Sequence, residues 1–317
     1  DSVMDSVMKR QKLVCLRVVF LFFGAFLSSL AWSQPGSDTT RDVPGVSTCL
    51  TCHNNTAITA IRQTPHGQST VPGSPFSRGG CTDCHGGSET HVRGMQSPGV
   101  VFDDGTDRFP PSPITSQNQS CLNCHQSRDT VHWSGSIHQA ADLACVTCHK
   151  IHQAQNNSAL NEVGGAGICL TCHLEKRSQF NGRSHHPVME GLMSCTDCHN
   201  PHGSDARALL ARAGVVETCT QCHAEKRGPF LWEHQPVVED CSNCHNPHGS
   251  TQVSMLTVRQ PFLCQTCHSD PFHPSTLYSG DDIPPAGAAQ QLLGSSCTNC
   301  HSTIHGSNHP SGSRLTR

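Results

Sequence analysis

The chain has little from which to build an ordinary hydrophobic core. Aromatic residues are 5% of its 317 residues, and Tyr278 is the single tyrosine. A chain this poor in large apolar side chains needs another organiser, and disulfides, metals or cofactors are the usual ones. Long regular elements are disfavoured as well, because 27 glycines and 20 prolines punctuate the sequence. Nor is there a second apolar run after Leu30, which predicts a soluble, exported chain. The one apolar stretch, Leu13 to Leu30, is broken by Arg17. It follows Met8 and the basic run Lys9, Arg10, Gln11, Lys12, and it leads to the small-x-small site Ala31-Trp32-Ser33. That order is a secretory signal. Its uninterrupted part, Val18 to Leu30, is 13 residues, short of the roughly 20 that span a bilayer. Residues 1–33, the signal with the residues upstream of it, are therefore expected to be removed. Residues 34–317 then carry 17 basic and 22 acidic residues, a net charge of −5.

Against these absences stand 21 cysteines and 23 histidines. Cys15 lies in the signal. Every other cysteine belongs to a Cys-x-x-Cys-His pentapeptide, and there are ten: Cys49 with Cys52, Cys81 with Cys84, Cys121 with Cys124, Cys145 with Cys148, Cys169 with Cys172, Cys195 with Cys198, Cys219 with Cys222, Cys241 with Cys244, Cys264 with Cys267 and Cys297 with Cys300. On a helical turn, residues three apart lie on one face. Both sulfurs then reach the two vinyl groups of one haem, and the adjacent imidazole is the proximal iron ligand. The proximal set is His53, His85, His125, His149, His173, His199, His223, His245, His268 and His301. Structural zinc does not need a histidine after every second cysteine. A disulfide framework does not explain that histidine either, and a thioredoxin-like pair needs one copy in an α/β context. Ten covalently bound haem c groups are the expected cofactors.

The motifs recur in pairs. Cys169 to Ser204 aligns with Cys219 to Ser250 in the order motif, Glu-Lys-Arg, linking histidine, motif, Asn-Pro-His-Gly-Ser. The same plan divides residues 34–317 into five di-haem units: 49–91, 121–152, 169–204, 219–250 and 264–305. From the first proximal histidine to the linking one the distance is 13 residues for His66, His138 and His186, then 11 for His234 and 5 for His273. After the second motif the next histidine follows at 3 for His152, His202 and His248, at 4 for His305 and at 6 for His91. These ten are the distal-ligand candidates, with His309 an alternative to His305. His132 and His185 are left over, the latter because the 13-residue spacing selects His186. Spacing leaves open which distal histidine serves which haem. Gly after His66, His202, His248 and His305 would let the backbone pass close to a porphyrin face.

The predicted fold is a multihaem cytochrome c: short α-helices and loops around a haem core, little or no β-sheet, drawn out as an elongated wire. The segments Phe102 to Ser120 and Ser279 to Ser295, rich in Pro, Gly, Asp and Ser, are expected as surface inserts. The triads Glu175-Lys176-Arg177 and Glu225-Lys226-Arg227 are either partners of haem propionates or solvated helix face. Methionine is the rival sixth ligand, but Met95, Met189, Met193 and Met255 do not recur in the repeat. With two protein ligands on every iron no position is open for substrate, and no Cys-x-x-Cys-Lys site is present. An electron carrier is expected, with no catalytic residues. Two other readings stay open: a multihaem reductase, which needs an open iron, and a periplasmic electron store or shuttle.

The chain closely resembles the MtrA/DmsE-type periplasmic decahaem cytochromes, most specifically in CHAEKRGP, LWEH and CHNPHGS between Cys219 and Ser250, and in CTNCHSTIHGSNHPSG from Cys297 to Gly312. The resemblance implies a periplasmic wire that plugs into an outer-membrane β-barrel porin. Its further partners are then an extracellular multihaem cytochrome or reductase and periplasmic or inner-membrane electron-donor cytochromes, none of them a nucleic acid. Metal or mineral respiration, dimethyl sulfoxide respiration and iron oxidation are the uses known in that family.

Overall fold

The computed structural model describes residues 45–102, 108–153, 166–268, 296–310 and 312–316. The expected signal (1–33), His273 and the insert 279–295 lie outside them.

Each of the ten motifs forms one helical turn. The histidine N–H donates to the carbonyl of the first cysteine, four residues back, at 2.9–3.1 Å in all ten. That single bond puts both sulfurs on one side of the turn, as the spacing requires. Several turns stop at once where Gly or Asn-Pro follows, as after His85, His199 and His245. Among the described residues the longest helix is Ile114–Leu122, at nine residues. Isolated antiparallel bridges join Ser184 with Ser250, His199 with Leu210, Trp232 with Ser307, and His245 with Leu256.

The insert Phe102 to Ser120 departs from expectation in its second half, which belongs to the helix Ile114–Leu122. Two of its polar side chains are buried and hydrogen-bonded. Gln117 donates to the Ser112 carbonyl at 2.7 Å, and Asn118 bonds both the Leu143 carbonyl (3.0 Å) and the Cys145 N–H (2.8 Å). The helix thereby ties two attachment motifs together. Its polar composition concealed it, because its buried contacts are hydrogen bonds.

Packing between apolar side chains is sparse. One cluster joins Val46 and Phe76, and another joins Ala166, Leu170, Phe180 and Val188. Large apolar side chains next to the histidines lie at the surface instead: Ile137 before His138 (61% exposed), Leu174 after His173 (61%) and Val92 after His91 (52%). Apolar groups flanking iron-ligand candidates suit the faces of a porphyrin.

The trailing His-Gly-Ser segments have a structural use the sequence did not reveal. Gly203, Gly249 and Gly306 have φ of +122°, +142° and +137°. A Cβ there would run into His132, the Gln179 carbonyl and Phe230 respectively, all in the preceding unit. The glycine after the distal histidine is thus a seat for neighbouring polypeptide, where a porphyrin face was expected.

Candidate haem-iron sites

An iron with two imidazole ligands, each bonded at about 2.0 Å, holds two ring centres roughly 6 Å apart. The structure brings nine proximal histidines to that separation from a distal candidate. The pairs are His53–His91 (6.1 Å), His85–His152 (6.3 Å), His125–His66 (5.9 Å), His149–His202 (5.9 Å), His173–His138 (6.2 Å), His199–His248 (6.0 Å), His223–His186 (6.3 Å), His245–His305 (6.1 Å) and His268–His234 (6.1 Å). It is His305 that faces His245, and His186 that faces His223. His185 instead hydrogen-bonds the Gly182 carbonyl at 2.8 Å and Glu190 at 3.0 Å, and His132 stands 3.4 Å from Asp205. The remaining distal candidate, His273, lies outside the described residues. Among the described residues no three His, Cys, Asp or Glu side chains gather as a metal cage; the histidines come in facing twos.

The pairing weaves the units together. Each linking histidine from His66 to His234 faces the first proximal histidine of the next unit. Each trailing histidine from His152 to His305 faces the second proximal histidine of the unit before. His91, with no unit before it, faces His53 in its own.

Backbone carbonyls orient the rings. A carbonyl oxygen can only accept, so the Nδ1 facing it carries the proton and Nε2 keeps a lone pair for iron. On the proximal side His199 Nδ1 donates to Ala208 (2.8 Å), His245 to Ser254 (2.7 Å) and His301 to Arg314 (2.6 Å). Ala208 and Ser254 both have φ of +53°, in a turn that repeats from one unit to the next. Holding a non-glycine residue there costs on the order of 1 kcal/mol, so the surrounding bonds must impose it. Asn200 N–H to Leu209 (2.7 Å) and Ala211 N–H to Cys198 (2.8 Å) do so, and Asn246 and Thr257 repeat them. On the distal side His138 donates to Pro201 (2.6 Å) and His186 to Pro247 (2.7 Å), the residues just before His202 and His248. Sequence reasoning had no means of finding these acceptors, because any residue type supplies a carbonyl.

In seven of the paired histidines burial favours the neutral form, the form an iron ligand needs. It lowers the pKa of His66, His85, His152, His202, His234, His248 and His305, that of His248 to about 4. Aromatic edges add to the burial: Phe180 packs on His248 at 5.6 Å, Trp133 on His202 at 6.4 Å, and Phe102 on His85 at 5.3 Å.

The cysteines form a series. Within each unit the two first cysteines touch: Cys49 with Cys81, Cys121 with Cys145, Cys169 with Cys195, Cys219 with Cys241, and Cys264 with Cys297. Between units the second cysteines come within electrostatic reach: Cys84 and Cys124, Cys148 and Cys172, Cys198 and Cys222, Cys244 and Cys267. Cys52 and Cys300, the second cysteines of the first and last motifs, stand at the two ends of this series, and both are exposed. The Thr51 hydroxyl approaches the Cys52 sulfur at 3.9 Å, a contact that Thr171 and Cys172 repeat. Burial, then the neighbouring sulfur, pushes the Cys81 thiol up to about 11 and that of Cys219 to about 12. In the Cys169–Cys195 pair a shared hydrogen bond holds Cys169 down at about 7. Thioether formation would abolish these titrations.

A family model described as "Doubled CXXCH motif" matches residues 185–228 and 234–272, and one described as "Cytochrome c-type protein NrfB-like" matches residues 81–164. Over 276 residues, 86% of this chain and 81% of the relative, the sequence is 41% identical to multiheme cytochrome MtrA of Shewanella baltica (strain OS185).

Proposed function

The chain belongs to the MtrA-type multihaem c-type cytochromes, and we propose that it conducts electrons across the outer membrane as a periplasmic decahaem wire inside a β-barrel partner. It is an electron carrier with multiple covalently bound haem c groups. Haem c supplies one-electron ferric/ferrous chemistry at each attachment point. Each motif holds one haem through its two cysteines and its histidine. The nine facing histidine pairs supply both axial ligands of nine irons. For the tenth haem, His273 is the distal candidate that the repeat supplies.

The observation that supports the reading is the unbroken series of neighbouring cysteines from Cys49 to Cys297. Thioether sulfurs sit at the porphyrin edge, so the alternation of first- and second-cysteine neighbours sets each attachment point near the next. A shuttle needs no such series, whereas a conductor does, since tunnelling fades steeply with distance. Among the described residues no helix is long and apolar enough to cross a membrane. A loop-rich chain with solvated backbone groups does not sit in lipid unsheathed. A closed barrel wide enough to hold a plug removes that cost. An extracellular multihaem cytochrome or reductase stands at one end, and periplasmic or inner-membrane electron-donor cytochromes stand at the other.

Reconstitution tests this. Liposomes enclosing a reductant, with an oxidant outside, should pass electrons with the barrel and this protein together and not with the barrel alone. Equal rates in the two cases refute the conductor and favour a periplasmic electron store.

A further inference from the structure

We propose that Trp133 anchors a haem carboxylate: its indole N–H and the Nδ1–H of His202 together hold one carboxylate of a bound haem, at the junction of the second and third units. The proposal rests on the axial pairing above.

Trp133 is 7% exposed. Its backbone is fixed from both sides. Its N–H donates to the Thr130 carbonyl at 3.0 Å, and its carbonyl accepts from the Ser136 N–H at 3.0 Å. Beside it, the His132 carbonyl lies where a Cβ on Gly203 would stand. The trailing segment of the third unit is therefore packed on this turn. The indole meets the His202 ring edge-on, with 6.4 Å between ring centres and 62° between planes.

Two buried donors at this junction have no acceptor among the described residues, Trp133 Nε1 and His202 Nδ1. With Nε2 of His202 on iron, Nδ1 keeps its proton and can only donate. His138 and His186 give the same proton to the Pro201 and Pro247 carbonyls, but no described carbonyl takes it from His202. A buried indole N–H usually finds a partner, and leaving it unmet costs about as much as losing a hydrogen bond. Asp205, three residues after His202, does not serve, since its side chain is 92% exposed and faces His132.

The missing acceptor matches what haem brings. Each haem c carries two carboxylates, and an ionised carboxylate accepts without donating. A water between the two donors would itself have to donate, and would need further acceptors. A carboxylate needs donors alone, and bonds to an ionised acceptor are the stronger kind. Held between an indole of one unit and an imidazole of the next, it ties the haem to both. Trp232 repeats the condition two units on: its indole N–H is also buried with no described partner, and its backbone bonds Ser307, just after His305.

The experiment is Raman spectroscopy of the purified holoprotein and of its W133F and W232F variants. Phenylalanine keeps a ring against His202 and removes the N–H. Ultraviolet excitation reads the indole. The parent-minus-W133F difference should show a hydrogen-bonded N–H, and so should W232F, in which Trp133 is the one tryptophan of residues 34–317. Visible excitation reads the haem carboxylates. In W133F the bending band of one carboxylate should move, and that group should take up its proton about one to two pH units higher, with every haem still low-spin. A free indole N–H overturns the proposal. So does a bonded indole with unchanged carboxylate bands in W133F, which assigns the acceptor to a buried water. If W133F does not assemble, acid titration of W232F decides: protonating the carboxylate should shift the Trp133 N–H band, and a band independent of pH overturns the proposal. A failure of the axial pairing is seen separately, as high-spin haem or carbon monoxide binding in the unmodified protein.

Discussion

Replacing His248 with alanine is expected to open one iron and leave the other nine closed. His248 faces His199 at 6.0 Å and is braced by the Phe180 edge at 5.6 Å. Truncation at Cβ leaves nothing of this side chain within bonding distance of an iron held by His199. The backbone around it has independent anchors. The Pro247 carbonyl still receives His186 Nδ1 at 2.7 Å, and the Ser184–Ser250 pair still bonds at 2.8 and 3.0 Å. The loss of ring packing is of the usual size for a half-buried side chain, about 1–3 kcal/mol, so the variant should fold. With ten motifs, about one tenth of the Soret absorbance should turn high-spin. The reduced variant should take up one carbon monoxide per chain, where the parent takes none, and added imidazole should restore the low-spin spectrum. His132→Ala and His185→Ala should behave as the parent, because those rings bond to Asp205 and to Gly182 and Glu190. A wholly low-spin His248→Ala that binds no carbon monoxide would refute the assignment, and so would an open haem in His185→Ala.

His305→Ala should open the iron held by His245 in the preceding unit. Its carbon monoxide site should therefore persist when Cys297→Ser and Cys300→Ser remove the last attachment motif; its disappearance there would place His305 on the other haem. Gly249→Ala adds a Cβ against the Gln179 carbonyl at a φ of +142°. It should destabilise the holoprotein by about 1–3 kcal/mol, seen as a lower thermal midpoint, and an unchanged midpoint would count against the packing account.

Much of the site was legible in the sequence because its chemistry is local. Thioether attachment needs two sulfurs and an imidazole on one helical turn, so five consecutive residues specify it, and the ten copies specify the number. The repeat also narrowed 23 histidines to ten distal candidates, since a duplicated unit keeps its ligand at a constant offset, as at His66, His138 and His186. The pairing was not legible. His138 faces His173 and bonds Pro201, 63 residues away, while His186 faces His223 and bonds Pro247, 61 residues away. No spacing within a unit encodes a partner in the next, so only the packing of one unit on another decides it. The same holds for the carbonyls of Ala208 and Ser254, where the backbone acts and residue type leaves no mark. It holds too for Gly203, Gly249 and Gly306, whose small size the sequence displays but whose neighbour only the tertiary structure supplies. Composition fixes which groups can bind iron, whereas the meeting of two imidazoles about 6 Å apart depends on how distant stretches of chain are held, and that is a property of the folded whole.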